Sequence, residues 1–127
     1  MAQQLTRVWG WTLNKMPTRY QLDYLATDRE GATAFCEMKR RNYAWGDIDR
    51  LGGYMLSLGK WLAARSLCHA TGLPFMLVVH ANDGMHYRYS HSFEPPRIVI
   101  GGRTDRDDWQ DVEPCAILKC AEFRLMP

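Results

Sequence analysis

The stretch Thr33-Ala34-Phe35-Cys36-Glu37-Met38-Lys39-Arg40 constrains this chain more than any other. It begins apolar and ends charged, as a strand does when it runs out of a core into a site. Side chains on a strand alternate sides, so Phe35, Glu37 and Lys39 share one face and a carboxylate and an ammonium point into the same space. Just ahead, Tyr20 to Ala26 alternates as a second strand, and Asp28-Arg29-Glu30-Gly31 supplies a hairpin turn whose glycine provides the positive φ. The hairpin carries Asp23 towards Glu37.

The remaining pattern predicts an α/β domain over residues 1–127, with a central mixed β-sheet flanked by helices. Gln3 to Trp11 reads as a short amphipathic helix closed by Gly10 or Asn14, and Pro17-Thr18 as a break. Asn42 to Asp49 reads as a polar connection. From Arg50 to Thr71 the spacing is helical, with Leu51, Met55, Leu58 and Leu62 on one stripe and Gly72 as the stop. Leu73 to His80 reads as a buried strand, Asn82-Asp83-Gly84 as a turn and Met85 to Ser90 as the hairpin partner. Arg97 to Ile100 and Cys115 to Cys120 are short candidate strands.

Composition narrows the setting. A chain of 127 residues with 46% hydrophobic content suits one core. No window approaches the ~20 apolar residues of a membrane span, so a soluble, cytoplasmic protein is expected. The four cysteines form no CxxC pair, which predicts reduced, buried thiols rather than a zinc site or disulfides. A formal charge of +2 is too weak to indicate a nucleic-acid partner by itself. Its distribution says more: Lys39, Arg40 and Arg41 are consecutive, Arg50, Lys60 and Arg65 follow, and acidic residues gather from Asp105 to Glu113.

Two carboxylates on neighbouring strands make a hard oxygen site suited to Mg²⁺ or Mn²⁺, and a lysine reaching the same pocket suits phosphate chemistry. By spacing alone ExK is common, and a charged strand end is usually a solvated edge. Arg40, Arg41, Asn42, Tyr43 and Trp45 mix cations with aromatics as a nucleic-acid grip does, against the plainer reading of a loop with its aromatics packed inward. His80 and His86 can share a hairpin face, where structural histidines are commoner than ligands. Asp105, Asp107, Asp108 and Asp111 read as a solvated loop, because Gln110 stands where a calcium loop needs glycine.

At these residues the chain resembles the PD-(D/E)xK nuclease superfamily, and in particular its small phage and Holliday-junction-resolvase-like members. The superfamily's Asp falls on Asp23 and its (D/E)xK on Glu37-Met38-Lys39, within a helix, strand, strand, helix, strand order that covers Leu5 to Ser90. The resemblance implies a restriction-endonuclease-like core and a metal-dependent DNA endonuclease, structure-selective or weakly sequence-specific. Asp23, Glu37 and the Met38 carbonyl would hold the ion, Lys39 would orient the nucleophile, and Ser57 and Lys60 would face the phosphate or a water. No acidic residue precedes Asp23, although many members carry one on the first helix, and Gln3 or Gln4 stands in that region instead. The implied partner is branched, single-stranded or duplex DNA, cut by a homodimer. The rival readings are a DNA-binding module of the same fold without turnover, and a structural or phage-assembly protein.

Overall fold

The computed structural model describes residues 2–94, 96–102 and 112–127. In chain order it contains α1 (Ala2–Trp9), β1 (Thr12–Lys15), a 3₁₀ turn (Thr18–Tyr20), β2 (Tyr24–Asp28), β3 (Gly31–Arg40), α2 (Trp45–Arg50), β4 (Tyr54–Ser57) and α3 (Leu58–Thr71). Then come β5 (Phe75–Ala81), β6 (Gly84–Ser90), β7 (Arg97–Gly102), β8 (Val112–Leu118), a 3₁₀ turn (Cys120–Glu122) and β9 (Arg124–Leu125). A six-stranded mixed sheet runs β1-β2-β3-β5-β6-β9, and a three-stranded sheet runs β4-β8-β7. This is the α/β architecture expected, with β1, α2 and β4 interposed in the core order and the second sheet added to it.

The period-two alternation of β3 divides the molecule. Ala34 and Cys36 face a cluster with Leu5 of α1, Trp11, Ala26, Met76 and Val78. Phe35 faces the other way, with Phe75, Leu77, Val79, Trp61 and Ala64. The parallel pairing of β3 with β5 sets Glu37 beside Leu77 and Lys39 beside Val79, on the face that α3 and the second sheet cover. Two strands paired in parallel need a long crossover, which α2, β4 and α3 supply. Buried on both faces, β5 reads as an unbroken apolar run from Phe75 to Val79.

Local signals placed several elements. Gly10 ends α1 at φ 68° and Gly72 ends α3 at φ 76°, its N–H donating to the Cys68 carbonyl at 2.8 Å. The turn before β3 and the β5–β6 hairpin stand where predicted. All four cysteines are buried and unpaired, and burial pushes the Cys36 thiol up to about 12 and the Cys68 thiol up to about 11.

Five expectations need correction. The helix predicted from Arg50 is a strand, β4, followed by α3 from Leu58. Gly52 and Gly53, at φ 102° and 127°, break the chain before Tyr54, and β4 pairs with distant β8, a partner no local pattern reveals. The supposed stripe therefore largely faces solvent, with Leu51 76% exposed and Met55 43%, while α3 buries Trp61, Ala64 and Cys68. The strand predicted from Tyr20 starts at Tyr24, because residues 18–20 form a 3₁₀ turn that Gln21 closes in the left-handed region. The polar connection after Asn42 contains α2, and the last predicted strand ends at Leu118, with Cys120 already in a 3₁₀ turn. His86 sits opposite Val79 and His80 opposite Met85, so the two histidines occupy opposite faces. Asp105, Asp107, Asp108 and Asp111 lie outside the described residues.

At Gly53 an added Cβ would lie 2.5 Å from the Leu118 carbonyl oxygen, in a φ region that disfavours side chains. Gly53→Ala is expected to cost about 1–3 kcal/mol. Gly46→Ala, on α2 with open space around it, should leave stability unchanged or slightly raised. Urea denaturation of both variants checks the contrast.

Candidate active site

Glu37 is fully buried, and every polar contact it makes crosses from another part of the chain or from Lys39. The β2–β3 register pairs Tyr24 with Cys36, which brings Asp23, one residue before β2, alongside Glu37. The link runs both ways. The Asp23 backbone N–H donates to Glu37 Oε2 at 3.1 Å, and Asp23 Oδ2 accepts from the Met38 N–H at 3.4 Å. The Met16 N–H donates to the Asp23 carbonyl at 2.9 Å and ties the segment to β1.

The other carboxylate oxygen, Oε1, faces two ammonium groups. Lys39 Nζ lies 3.2 Å away, and Lys60 Nζ donates directly to the same atom. Lys60 also donates to the Gln21 carbonyl at 3.1 Å. The first turn of α3 delivers Lys60 beside Glu37. Ser57 caps that helix, its Oγ accepting from the Lys60 N–H at 3.2 Å. Ser57 and Lys60 thus meet at the helix start, as N-cap and third helical residue.

Gln21 is one residue at the site that sequence reasoning missed, and Tyr54, on the groove beside Lys60, is another. Gln21 holds φ 64° without being a glycine, and its side-chain oxygen would stand 3.0 Å from a Cβ on Gly59. The loop before β2 therefore packs closely on the start of α3. No pattern around Gln21 announces that role.

A groove of about 1060 Å³ opens from Lys39 and Lys60 and is lined further by Arg40, Arg41, Tyr43 and Tyr54. Tyr43 is exposed, whereas Trp45 stacks on His86 with ring centroids 4.2 Å apart and an interplanar angle of 8°. Trp45 takes the packed role, and Tyr43 stays at the groove. Burial pushes His86 below its ordinary range, with nearby Asp83 acting in the opposite sense. Gln3 and Gln4 belong to α1, which packs through Leu5 on the face opposite Glu37. The sheet separates them from the site.

Asp23 and Glu37 are the side chains here that could hold a hard divalent cation. They sit on adjoining segments, with the Asp23 N–H on Glu37 Oε2 and the Met38 N–H on Asp23 Oδ2, and two ammonium groups converge on Glu37 Oε1. Mg²⁺ typically takes one or two carboxylates together with waters and substrate phosphates. Among the described residues no three His, Cys, Asp or Glu side chains group around a metal position.

A mixed sheet carrying Asp23 and Glu37-Met38-Lys39 on adjoining segments defines a restriction-endonuclease-like protein of the PD-(D/E)xK class. Over residues 1–126 the chain matches the family model described as "Phage putative PDDEXK endonuclease", and it belongs to that family. Neither the curated proteins nor the solved structures searched contain a match. Among the described residues no helix is long and apolar enough to cross a membrane.

A double-mutant cycle of Glu37→Gln and Lys60→Met, followed by chemical denaturation, should give a coupling of about 1–3 kcal/mol. The cycle with Lys39→Met should give less, because Lys39 is more exposed than Lys60 and sits farther from Oε1. Equal couplings would contradict this ranking.

Proposed function

We propose that the chain is a Mg²⁺- or Mn²⁺-dependent DNA endonuclease with its chemistry centred on Asp23, Glu37 and Lys39. The observation that carries the reading is the buried Glu37 carboxylate, joined to Asp23 on one oxygen and to two lysines on the other. Asp23 and Glu37, with the Met38 carbonyl, would hold the ion. When bound, such an ion polarises a phosphate oxygen and makes water a better nucleophile.

The chain's own residues do the rest. Lys39 orients the attacking water and offsets the negative charge that grows on the phosphorane-like oxygens. Lys60 keeps the Glu37 carboxylate in place from α3 while the Gln21 carbonyl fixes the ammonium. Arg40, Arg41 and Tyr43 line the groove and bind the strand through phosphates, contacts that position DNA without reading its sequence. Structure-selective or weakly specific cutting follows from such a surface. A homodimer would place two such sites across two strands.

A DNA-binding module without turnover is the second reading. It is favoured by a first helix that carries no acidic residue and lies beyond the sheet.

Cleavage of labelled duplex, single-stranded and four-way-junction DNA, with Mg²⁺, Mn²⁺ or EDTA, separates the two. The wild type should cut with either metal and stop in EDTA, while Glu37→Ala and Lys39→Ala should each lose at least about 100-fold in rate. DNA binding that metal strengthens, without cutting, would select the second reading.

A further inference from the structure

Tyr54 opens β4, where its pairing with Leu118 fixes the backbone, and it is 2% exposed. Its ring packs edge-on against Phe123, with centroids 6.2 Å apart, while the Arg41 guanidinium carbon lies 5.3 Å from the ring centroid. The hydroxyl is buried and has no hydrogen-bond partner among the described residues. Such groups are rare in folded proteins because an unpaired buried hydroxyl has given up water for nothing. Phenylalanine would fill the same space in this core without that penalty. The hydroxyl therefore calls for an explanation outside packing.

Its surroundings supply one. Tyr54 lines the groove that also holds Lys39 and Lys60. Burial, the largest influence, pushes its phenol up to about 12, with Arg41 lowering it and Glu37 and Cys115 raising it. The phenol therefore keeps its proton at neutral pH and remains a donor. A retained donor at the tip of the ring and a cation on its face both suit an anionic oxygen.

We propose that Tyr54 is a phosphate-binding residue of the groove: its ring holds the Arg41 guanidinium, and its unpartnered hydroxyl donates to a phosphodiester oxygen of the bound strand. The assignment rests on the nuclease reading above for the identity of the strand, and on the unfilled hydroxyl for the contact. Bound DNA completes a hydrogen bond that the free protein leaves open. The stability lost to the open donor is then part of how the groove is kept ready.

The test is Tyr54→Phe, which removes the oxygen and keeps the ring, compared with wild type by thermal unfolding, by anisotropy of a labelled DNA duplex and by single-turnover cleavage. Thermal stability should be unchanged or higher, while DNA affinity or cleavage should fall about 10- to 100-fold, as for a lost hydrogen bond to a charged group. Because the lost group is neutral, the salt dependence of binding should not change, whereas Arg41→Gln should reduce its slope by about one. A variant that binds and cuts like wild type would overturn the assignment and leave the nuclease reading intact. A wild type that binds without cutting, with the affinity loss still seen in Tyr54→Phe, would keep the phosphate contact and remove the nuclease reading. A wild type that neither binds nor cuts overturns both.

Discussion

A carboxylate with no exposure to water is the constraint on which this site depends. Removing a charge from water costs several kcal/mol even after relaxation, and only close, well-aligned partners offset it. Glu37 finds them in three directions: the Asp23 N–H on one oxygen, and Lys60 and Lys39 on the other. Those partners come from the loop before β2, from α3 and from β3 itself. Satisfying one side chain therefore draws together segments that are 14 and 23 residues from it in sequence. Lys60 extends the tie by also binding the Gln21 carbonyl, and Gly59 leaves the room that this close approach requires.

The division of β3 into two faces explains how a chain of this size holds both a core and a site. Its even positions, Ala34 and Cys36, are committed to the layer under α1. Its odd positions pass from Phe35 in the core to Glu37 and then to the partly exposed Lys39, so one strand face grades from apolar to charged within five residues. The second sheet then serves two ends. Tyr54, Leu56, Ala116 and Leu118 close the core over that face. Tyr54 and its neighbours in β4 also form a wall of the groove beside Lys60.

What was legible in the sequence was local. The β3 alternation, the glycine in the turn before it and the Gly72 stop all act within a few residues, and each held. Asp23 lies beside Glu37 as expected, although β2 begins only at Tyr24, but the hairpin turn alone does not set that pairing. A register shift between Ala26 and Thr27 does, since the register at the turn would put Asp23 opposite Cys36, and no local pattern reveals the shift. The helix predicted from Arg50 failed because Met55 and Leu58 match a helical stripe, while β4 is held by β8, about 60 residues away. Periodicity cannot weigh a partner at that distance. Gln21 and Tyr54 were missed for the same reason: one matters through a carbonyl and the other through an environment, and neither is a residue type that spacing marks out.

The two lysines on one carboxylate oxygen are not equivalent, and the difference bears on how the site could act. Lys60 is held twice, by Glu37 and by the Gln21 carbonyl, and comes from a helix whose first turn is capped by Ser57. Lys39 has the longer contact, at 3.2 Å, and its side chain is 32% exposed against 24% for Lys60. Two like charges sharing one oxygen repel, so the pair gains when one ammonium moves to another anion. Lys39 is the one with less to lose. On the proposed reading, a phosphate arriving in the groove recruits Lys39, while Lys60 stays to neutralise Glu37 and hold it in register with Asp23. The buried charge is then never left without a partner while the reactive lysine is in use.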